Sequence, residues 1–99
     1  MVLAMTFDDG PHPVNTPKLL DMLKQRNIKA TFFLIGKSAK TYPQIVRRIL
    51  EEGHEIGNHT WTHCSLTSRS DEQIRSELKM SEDALVEAAG YRPHLIRPP

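Results

Sequence analysis

Two histidines and two aspartates in this sequence have the types and spacing of a metal site. His59 and His63 are four residues apart, and on a helical turn this spacing allows both side chains to reach one cation. Asp8 and Asp9 follow a short apolar segment near the start of the chain. One carboxylate would complete a two-histidine, one-aspartate set with an open position for water, which is typical of catalytic zinc. The other could accept a proton from that water, because neighbouring side chains point apart.

Each pattern also has a purely structural interpretation. The spacing of His59 and His63 is common in histidines without a ligand, and Thr60 stands where the H-E-x-x-H motif has its glutamate. Asp8-Asp9-Gly10-Pro11 consists of residues that favour turns. The occurrence of both patterns at predicted strand ends favours a catalytic metal site over the structural interpretation. Arg97 follows another predicted strand, where its guanidinium could orient an aspartate that acts as a base, although exposure is the norm for arginine.

The apolar pattern predicts the elements that would position these residues. The predicted strands are 2–7, 30–35, 55–58 and 94–97, and the predicted helices run from 16 to about 25, from Thr41 as N-cap to Gly53, and from Ser70 to Gly90. Segment 30–35 is apolar without alternation, as in a strand covered on both faces. Pro43 suits the first turn of the second helix, and Ser70 and Gln73 have capping-box spacing.

The alternation of strands and helices predicts an α/β fold with parallel strands, either doubly wound or a barrel. Active sites in both gather at the carboxyl ends of the strands, so we expect the aspartates, the histidines and Arg97 to meet on one rim. A full barrel takes about 250 residues. We therefore expect residues 1–99 to form one partial domain, truncated after its fourth strand.

The composition of the chain excludes several function classes. Thirteen Lys+Arg against twelve Asp+Glu leave a net charge of +1, which gives no electrostatic basis for a nucleic-acid or anionic-membrane partner. No segment approaches the roughly 18 apolar residues that cross a bilayer, and no signal peptide is visible. Cys64 is the single cysteine, so no intrachain disulfide can support the fold.

Three motifs carry a family resemblance. Thr6-Phe7-Asp8-Asp9-Gly10-Pro11, His59-Thr60-x-x-His63 and Arg97-Pro98-Pro99 resemble, in order, the first three motifs of the polysaccharide deacetylase family. This is carbohydrate esterase family 4, also called the NodB-homology domain. Segments 29–33 and 53–58 are similar to family sequence as well, so the resemblance covers nearly the whole chain. It implies the N-terminal part of a distorted (β/α) barrel in a hydrolase that removes N-acetyl or O-acetyl groups from chitin-like, peptidoglycan or xylan sugars.

The resemblance also implies roles for individual residues. Asp9, His59 and His63 would bind a divalent metal, Asp8 would be the general base, and Arg97 would position Asp8. Zinc is the expected metal, and cobalt or nickel could replace it. The expected partner is an acetylated polysaccharide or oligosaccharide, and the family implies an extracellular or cell-envelope location. The oligomeric state is not indicated by the sequence.

Other family features lie beyond Pro99. They are a tyrosine whose backbone N–H helps to bind the oxyanion, a leucine-lined acetyl pocket and a histidine general acid. Loss of one oxyanion donor costs about a hundredfold or more in rate. We therefore expect the full-length parent to be active and these 99 residues alone to be weak or inactive.

Two other functions are compatible with the same residues. A two-histidine, one-carboxylate set also suits non-haem iron, although oxygen chemistry does not need the second aspartate as a base. An inactive metal-binding or carbohydrate-binding remnant of the barrel is the non-enzymatic alternative.

The remaining histidines, Trp61 and Cys64 receive less specific interpretations. His12 could face the site or lie in a solvated loop, and His54 and His94 are interpreted as structural. Trp61 is interpreted as a packing residue, and Cys64 as a small, partly buried spacer beside His63.

Overall fold

The computed structural model describes residues 5–99, so the predicted start of the first strand at 2–4 lies outside the described residues. The elements in chain order are β1 (Met5–Asp8), α1 (Asn15–Gln25), β2 (Ala30–Leu34), α2 (Gly36–Thr41), α3 (Pro43–Glu51), β3 (Glu55–Asn58), a 3-10 turn (Leu66–Ser68), α4 (Asp71–Ala89) and β4 (Leu95–Ile96). Every predicted strand is present within this range. Between residues 5 and 99, no helix has the length and apolar character of a membrane span.

The four strands form one parallel sheet in the order β1-β2-β3-β4. A doubly wound sheet reverses its strand order at a switch point, whereas a barrel adds each new strand beside the last. The sequential order therefore decides between the two architectures that the alternation left open. The α/β prediction is confirmed, and the described part of the sheet has the winding of a barrel.

The hydrophobic core lies between the sheet and its helices. Alternate residues of β2 point to opposite faces, so Phe32 and Leu34 pack into this core while Phe33 lies on the other face. Their buried neighbours come from every α-helix and from β3: Leu20, Leu23, Ala39, Val46, Ile49, Ile56, Leu85 and Ala88. The unbroken apolar segment thus reflects a strand that is covered on both faces, as predicted.

The connection between β2 and β3 differs from the prediction. Thr41 is not the N-cap of a single helix; it is the last residue of the short helix α2, and its hydroxyl donates to the carbonyl of Lys37 at 3.1 Å. Helix α3 begins at Pro43 instead, with Tyr42 as N-cap and no capping side chain. The prediction failed because α2 has too few apolar residues to show a helical period; Ala39 is buried among polar neighbours.

The other predicted helix ends are confirmed. The Ser70 hydroxyl accepts from the Gln73 N–H at 3.2 Å, and the Gln73 side chain accepts from the Ser70 N–H at 3.0 Å. Gly53 and Gly90 follow α3 and α4 with φ of +89° and +83°, in the left-handed region that glycine adopts without strain.

Candidate metal centre

The strand ends bring the predicted site residues together on one rim. Asp9 directly follows β1, and His59 directly follows β3. The Asp9 Oδ1 atom lies 3.3 Å from His59 Nε2 and 3.1 Å from His63 Nε2. One ligand atom from each of the three residues falls within 4.8 Å of the other two. Residues about 50 positions apart in the sequence therefore form a single cluster of donor atoms.

His59 is held in one tautomer. Its side chain is 3% exposed, and its Nδ1 atom lies 2.5 Å from the backbone carbonyl oxygen of Arg97. A carbonyl can only accept, so Nδ1 carries a hydrogen, and in the neutral ring the lone pair is then on Nε2. That lone-pair nitrogen is the atom that faces Asp9. A metal-ligating histidine has this arrangement, in which the second ring nitrogen donates to a fixed acceptor.

His63 reaches the same centre from a loop. The helical turn inferred from the four-residue spacing is wrong, because residues 59–63 are not helical. Thr60 and His63 have φ of +69° and +64°, in the left-handed region that is uncommon for residues other than glycine and least favourable for a β-branched residue such as Thr60. The buried Thr60 hydroxyl accepts from the His63 N–H at 3.1 Å, and the Thr60 N–H donates to Asn58 Oδ1 at 2.9 Å. These bonds fold the loop so that both imidazoles converge.

Asp8 and Asp9 occupy separate surroundings, as their adjacency predicted. Arg97 Nη1 donates to Asp8 Oδ1 at 2.8 Å and to the Thr6 hydroxyl at 3.2 Å. The Arg97 carbonyl also accepts from His59, so one residue contacts both halves of the site. Asp8 is thus oriented by a cation beside the donor cluster and takes no part in the cluster itself.

Sequence reasoning missed the residues beneath Arg97. The Arg97 guanidinium carbon lies 4.2 Å from the centroid of the Phe33 ring, a distance at which the cation is attracted by the ring face. A Cβ at Gly57 would lie 2.6 Å from Phe33 Cδ1, so only glycine leaves room for the ring in this position. The signal was present in the sequence, since Phe33 lies in the unbroken apolar segment, but its face could not be assigned without the register.

The less specific interpretations have mixed outcomes. His54 is structural as predicted: it is buried, and its Nδ1 accepts from the Ala30 N–H at 3.0 Å. Cys64 is partly buried and its thiol donates to Glu77, a bond that, with burial, raises the pKa of Cys64. Half-buried Trp61 lines a surface groove beside α4, while His12 and His94 are exposed.

The donor set fits a zinc-like ion. It offers one carboxylate oxygen and two imidazole nitrogens, which are preferred zinc ligands at bond lengths of about 2.0–2.2 Å. Donor atoms of a tetrahedral ion with such bonds lie roughly 3.3 Å apart. The Asp9 oxygen is 3.1 and 3.3 Å from the two nitrogens, close to that separation, and all three donor atoms lie within 4.8 Å of one another.

Comparison with known proteins gives a consistent result. The family model described as polysaccharide deacetylase matches residues 1–99. A peptidoglycan-N-acetylglucosamine deacetylase of Bacillus cereus is 52% identical over 97 residues, which are 98% of this chain and 35% of the relative. The chain therefore spans about a third of the length of this curated relative.

Two solved structures share the fold. The peptidoglycan deacetylase PdaC from Bacillus subtilis has a TM-score of 0.94 and 44% identity, over 97% of this chain and 48% of that chain. A family 4 acetyl xylan esterase from Clostridium thermocellum, solved in complex with a cobalt ion, has a TM-score of 0.92 and 40% identity, over 97% of this chain and 47% of that chain.

Proposed function

This chain belongs to the polysaccharide deacetylase family, and on that premise we propose that the protein containing it hydrolyses N-acetyl groups of peptidoglycan or chitin-like sugars with a divalent metal. Residues 1–99 would be part of one catalytic domain. The observation that carries the proposal is the convergence of Asp9, His59 and His63 beside a separately held Asp8.

Asp9, His59 and His63 are proposed to hold the metal. Zinc suits these ligands best, and cobalt or nickel can replace it. A bound divalent ion supplies a Lewis acid that polarises the amide carbonyl and lowers the pKa of a water ligand to about 7. The Arg97 carbonyl accepts the Nδ1 hydrogen of His59, so in the neutral ring Nε2 offers its lone pair to the metal.

Asp8 is proposed as the general base. Its Oδ1 is engaged by Arg97 at 2.8 Å, and its side chain is 40% exposed, so substrate and water can approach the other carboxylate oxygen. That oxygen would accept the proton of the attacking water. Arg97 would then act by orienting the Asp8 carboxylate so that its free oxygen faces the attacking water, and it would not touch the substrate.

The test is acetate release by the longest natural chain that contains these residues. N-acetylated chitooligosaccharides and peptidoglycan would be the substrates, and added chelator or Asp9→Ala should remove both bound zinc and activity. Asp83→Ala is the matched control, because Asp83 is an exposed acid outside the site. Stoichiometric metal binding without acetate release from either substrate would contradict the proposal and favour the inactive remnant. Oxygen uptake with bound iron would favour an iron enzyme instead.

A further inference from the structure

One carboxylate oxygen anchors the loop on both sides of His63. Glu77 Oε1, on helix α4, accepts from the Thr62 N–H at 3.0 Å and from the Thr62 hydroxyl at 2.7 Å. The same atom accepts from the Cys64 thiol at 3.0 Å. The residues immediately before and after His63 are therefore fastened to a single point on a long helix.

This anchoring acts where the backbone needs support. His63 has a φ of +64°, and a histidine keeps such a conformation only where the surrounding structure holds it. Thr60 supplies one restraint from within the loop, through its bond to the His63 N–H. Two restraints come from α2, where the Gly36 N–H donates to the Thr60 carbonyl and the Lys37 N–H to the Trp61 carbonyl. Glu77, 14 positions away in the sequence, adds the restraints on either side of His63 itself.

The anchor is charged at neutral pH. Partial burial acts to raise the pKa of Glu77, but hydrogen bonds from Cys64 and Thr62 outweigh it, and the pKa of this carboxyl is lowered. Hydrogen bonds to an ionised acceptor are roughly twice as strong as neutral ones. Three hydrogen bonds to one charged atom therefore hold the backbone on both sides of the left-handed residue His63.

The two histidines of the site are positioned by different parts of the fold. His59 is buried at the end of β3 and its ring is fixed by the Arg97 carbonyl. His63 is half-exposed, with a side chain that is 46% accessible, and its ring faces Asp9 at 3.1 Å. The conformation of the loop therefore decides where the His63 ring points, and Glu77 is the residue of α4 whose side chain holds the loop next to His63.

We propose that Glu77 is a positioning residue that presets His63 for metal binding. This inference rests on the proposed metal site formed by Asp9, His59 and His63. Glu77 does not touch the metal or the substrate; it acts through Thr62 and Cys64 on the His63 backbone. Its removal should weaken metal binding without removing a ligand.

The experiment measures the zinc affinity of the longest natural chain that contains these residues, by competition with a chromophoric chelator. Glu77→Ala should weaken zinc binding about 10- to 100-fold, the range found when groups that orient metal ligands are removed. Glu77→Gln keeps an acceptor oxygen and should recover most of the affinity. Glu87→Ala, which removes an exposed glutamate of the same helix, is the matched control and should bind zinc as the unaltered chain does.

A spectroscopic measurement separates positioning from general stability. The visible absorption of bound Co²⁺ reports coordination geometry, and it should change in Glu77→Ala but not in Glu87→Ala. If Glu77→Ala fails to fold, Cys64→Ala removes one of the three bonds and should give a smaller loss of affinity in the same direction. Unchanged zinc affinity and Co²⁺ spectrum in folded Glu77→Ala would overturn the inference. No zinc binding by the unaltered chain would overturn the proposed metal site and this inference with it.

Discussion

The two ends of the sheet use buried histidine in opposite ways. His54 lies at the amino-terminal end with 5% exposure, and His59 at the carboxyl end with 2%. Nδ1 of His54 accepts from the Ala30 N–H, so its hydrogen is on Nε2. Nδ1 of His59 donates to the Arg97 carbonyl, so in the neutral ring Nε2 carries the lone pair. Burial therefore does not distinguish a packing histidine from a candidate ligand. The hydrogen-bond partner of Nδ1 distinguishes them: it is an N–H donor for His54 and a carbonyl acceptor for His59.

The backbone shows the same contrast. At the amino-terminal end, left-handed conformations are taken by Gly53 and Asn27, with φ of +89° and +55°. Both residue types tolerate this region well. At the carboxyl end, the same region is taken by Gly10, with φ of +82°, but also by Asp9, Thr60 and His63, with φ of +72°, +69° and +64°. The carboxyl end thus places three non-glycine residues, two of them proposed metal ligands, in a region where glycine is the least strained residue.

If this contrast is right, a change at the site end should remove activity and leave the fold intact. Asp8→Asn has the largest expected effect: it keeps an acceptor for Arg97 but loses the basic carboxylate. We expect kcat to fall by about 10²- to 10⁴-fold. Acetate release and zinc affinity would be measured on the same preparation, with Asp83→Asn as control. A loss of zinc together with activity would show that Asp8 is not separate from the donor cluster.

Phe33, beneath Arg97, tests whether a residue of a buried strand also supports the site, because it belongs to β2 and contacts the Arg97 guanidinium. Phe33→Leu keeps an apolar side chain but removes the ring face under the guanidinium. A cation–π contact of about 0.5–2 kcal/mol corresponds to a fall in kcat of roughly 2- to 30-fold. In the background of Arg97→Gln the same substitution should have no further effect on kcat. Equal losses with and without Arg97 would mean that Phe33 acts through general packing.

Much of this arrangement could be predicted from the sequence. Continuous apolarity identified β2, and cap residues such as Ser70 and Gly53 located helix ends, because these signals act over a few neighbouring residues. Strand ends then brought Asp9 and His59 to one rim, since parallel strands share a direction. Local signals therefore fixed most of the elements and the meeting point of the site residues.

The rest depended on contacts between distant residues. The stack of Arg97 on Phe33 depends on sheet register, and the anchoring of the His63 loop depends on how α4 packs. The left-handed φ of His63 had no local signal, because no glycine or asparagine marks that position. Helix α2 was missed for a related reason, since its single buried apolar residue, Ala39, gives no period.

Substitutions at left-handed positions at the two ends of the sheet should change the free energy of unfolding in opposite directions. Gly53→Ala places a side chain at φ +89° and should lower the free energy of unfolding by about 1 kcal/mol. His63→Gly relieves a left-handed conformation and should raise it by up to about 1 kcal/mol, because the lost side chain is half-exposed. Urea denaturation of the metal-free chain would measure both. If His63→Gly destabilised the chain as much as Gly53→Ala does, the left-handed conformation of His63 would not be strained, and the two ends would not differ in backbone strain.

The smallest expected effect is in the pH dependence of stability, and it tests the structural role of His54. Burial, with a smaller contribution from the Lys29 charge that outweighs the opposing charge of Glu52, lowers the pKa of His54 below its usual value of 6.5. Between the folded pKa and 6.5 the unfolded chain binds more protons, so stability should fall as the pH decreases through this window.

One histidine contributes at most about 1.4 kcal/mol per pH unit to that slope. His54→Asn offers an uncharged acceptor to the Ala30 N–H. It should remove the contribution of His54 to the slope of unfolding free energy against pH, and any loss of packing would shift the free energy equally at every pH. The other four histidines are present in both proteins and cancel in the difference. Unfolding free energies measured from about pH 5 to pH 8 give the two slopes. Identical slopes would mean that His54 titrates in the folded chain as it does in the unfolded one. Nδ1 of His54 would then not be the neutral acceptor of the Ala30 N–H, and the contrast with His59 would be lost.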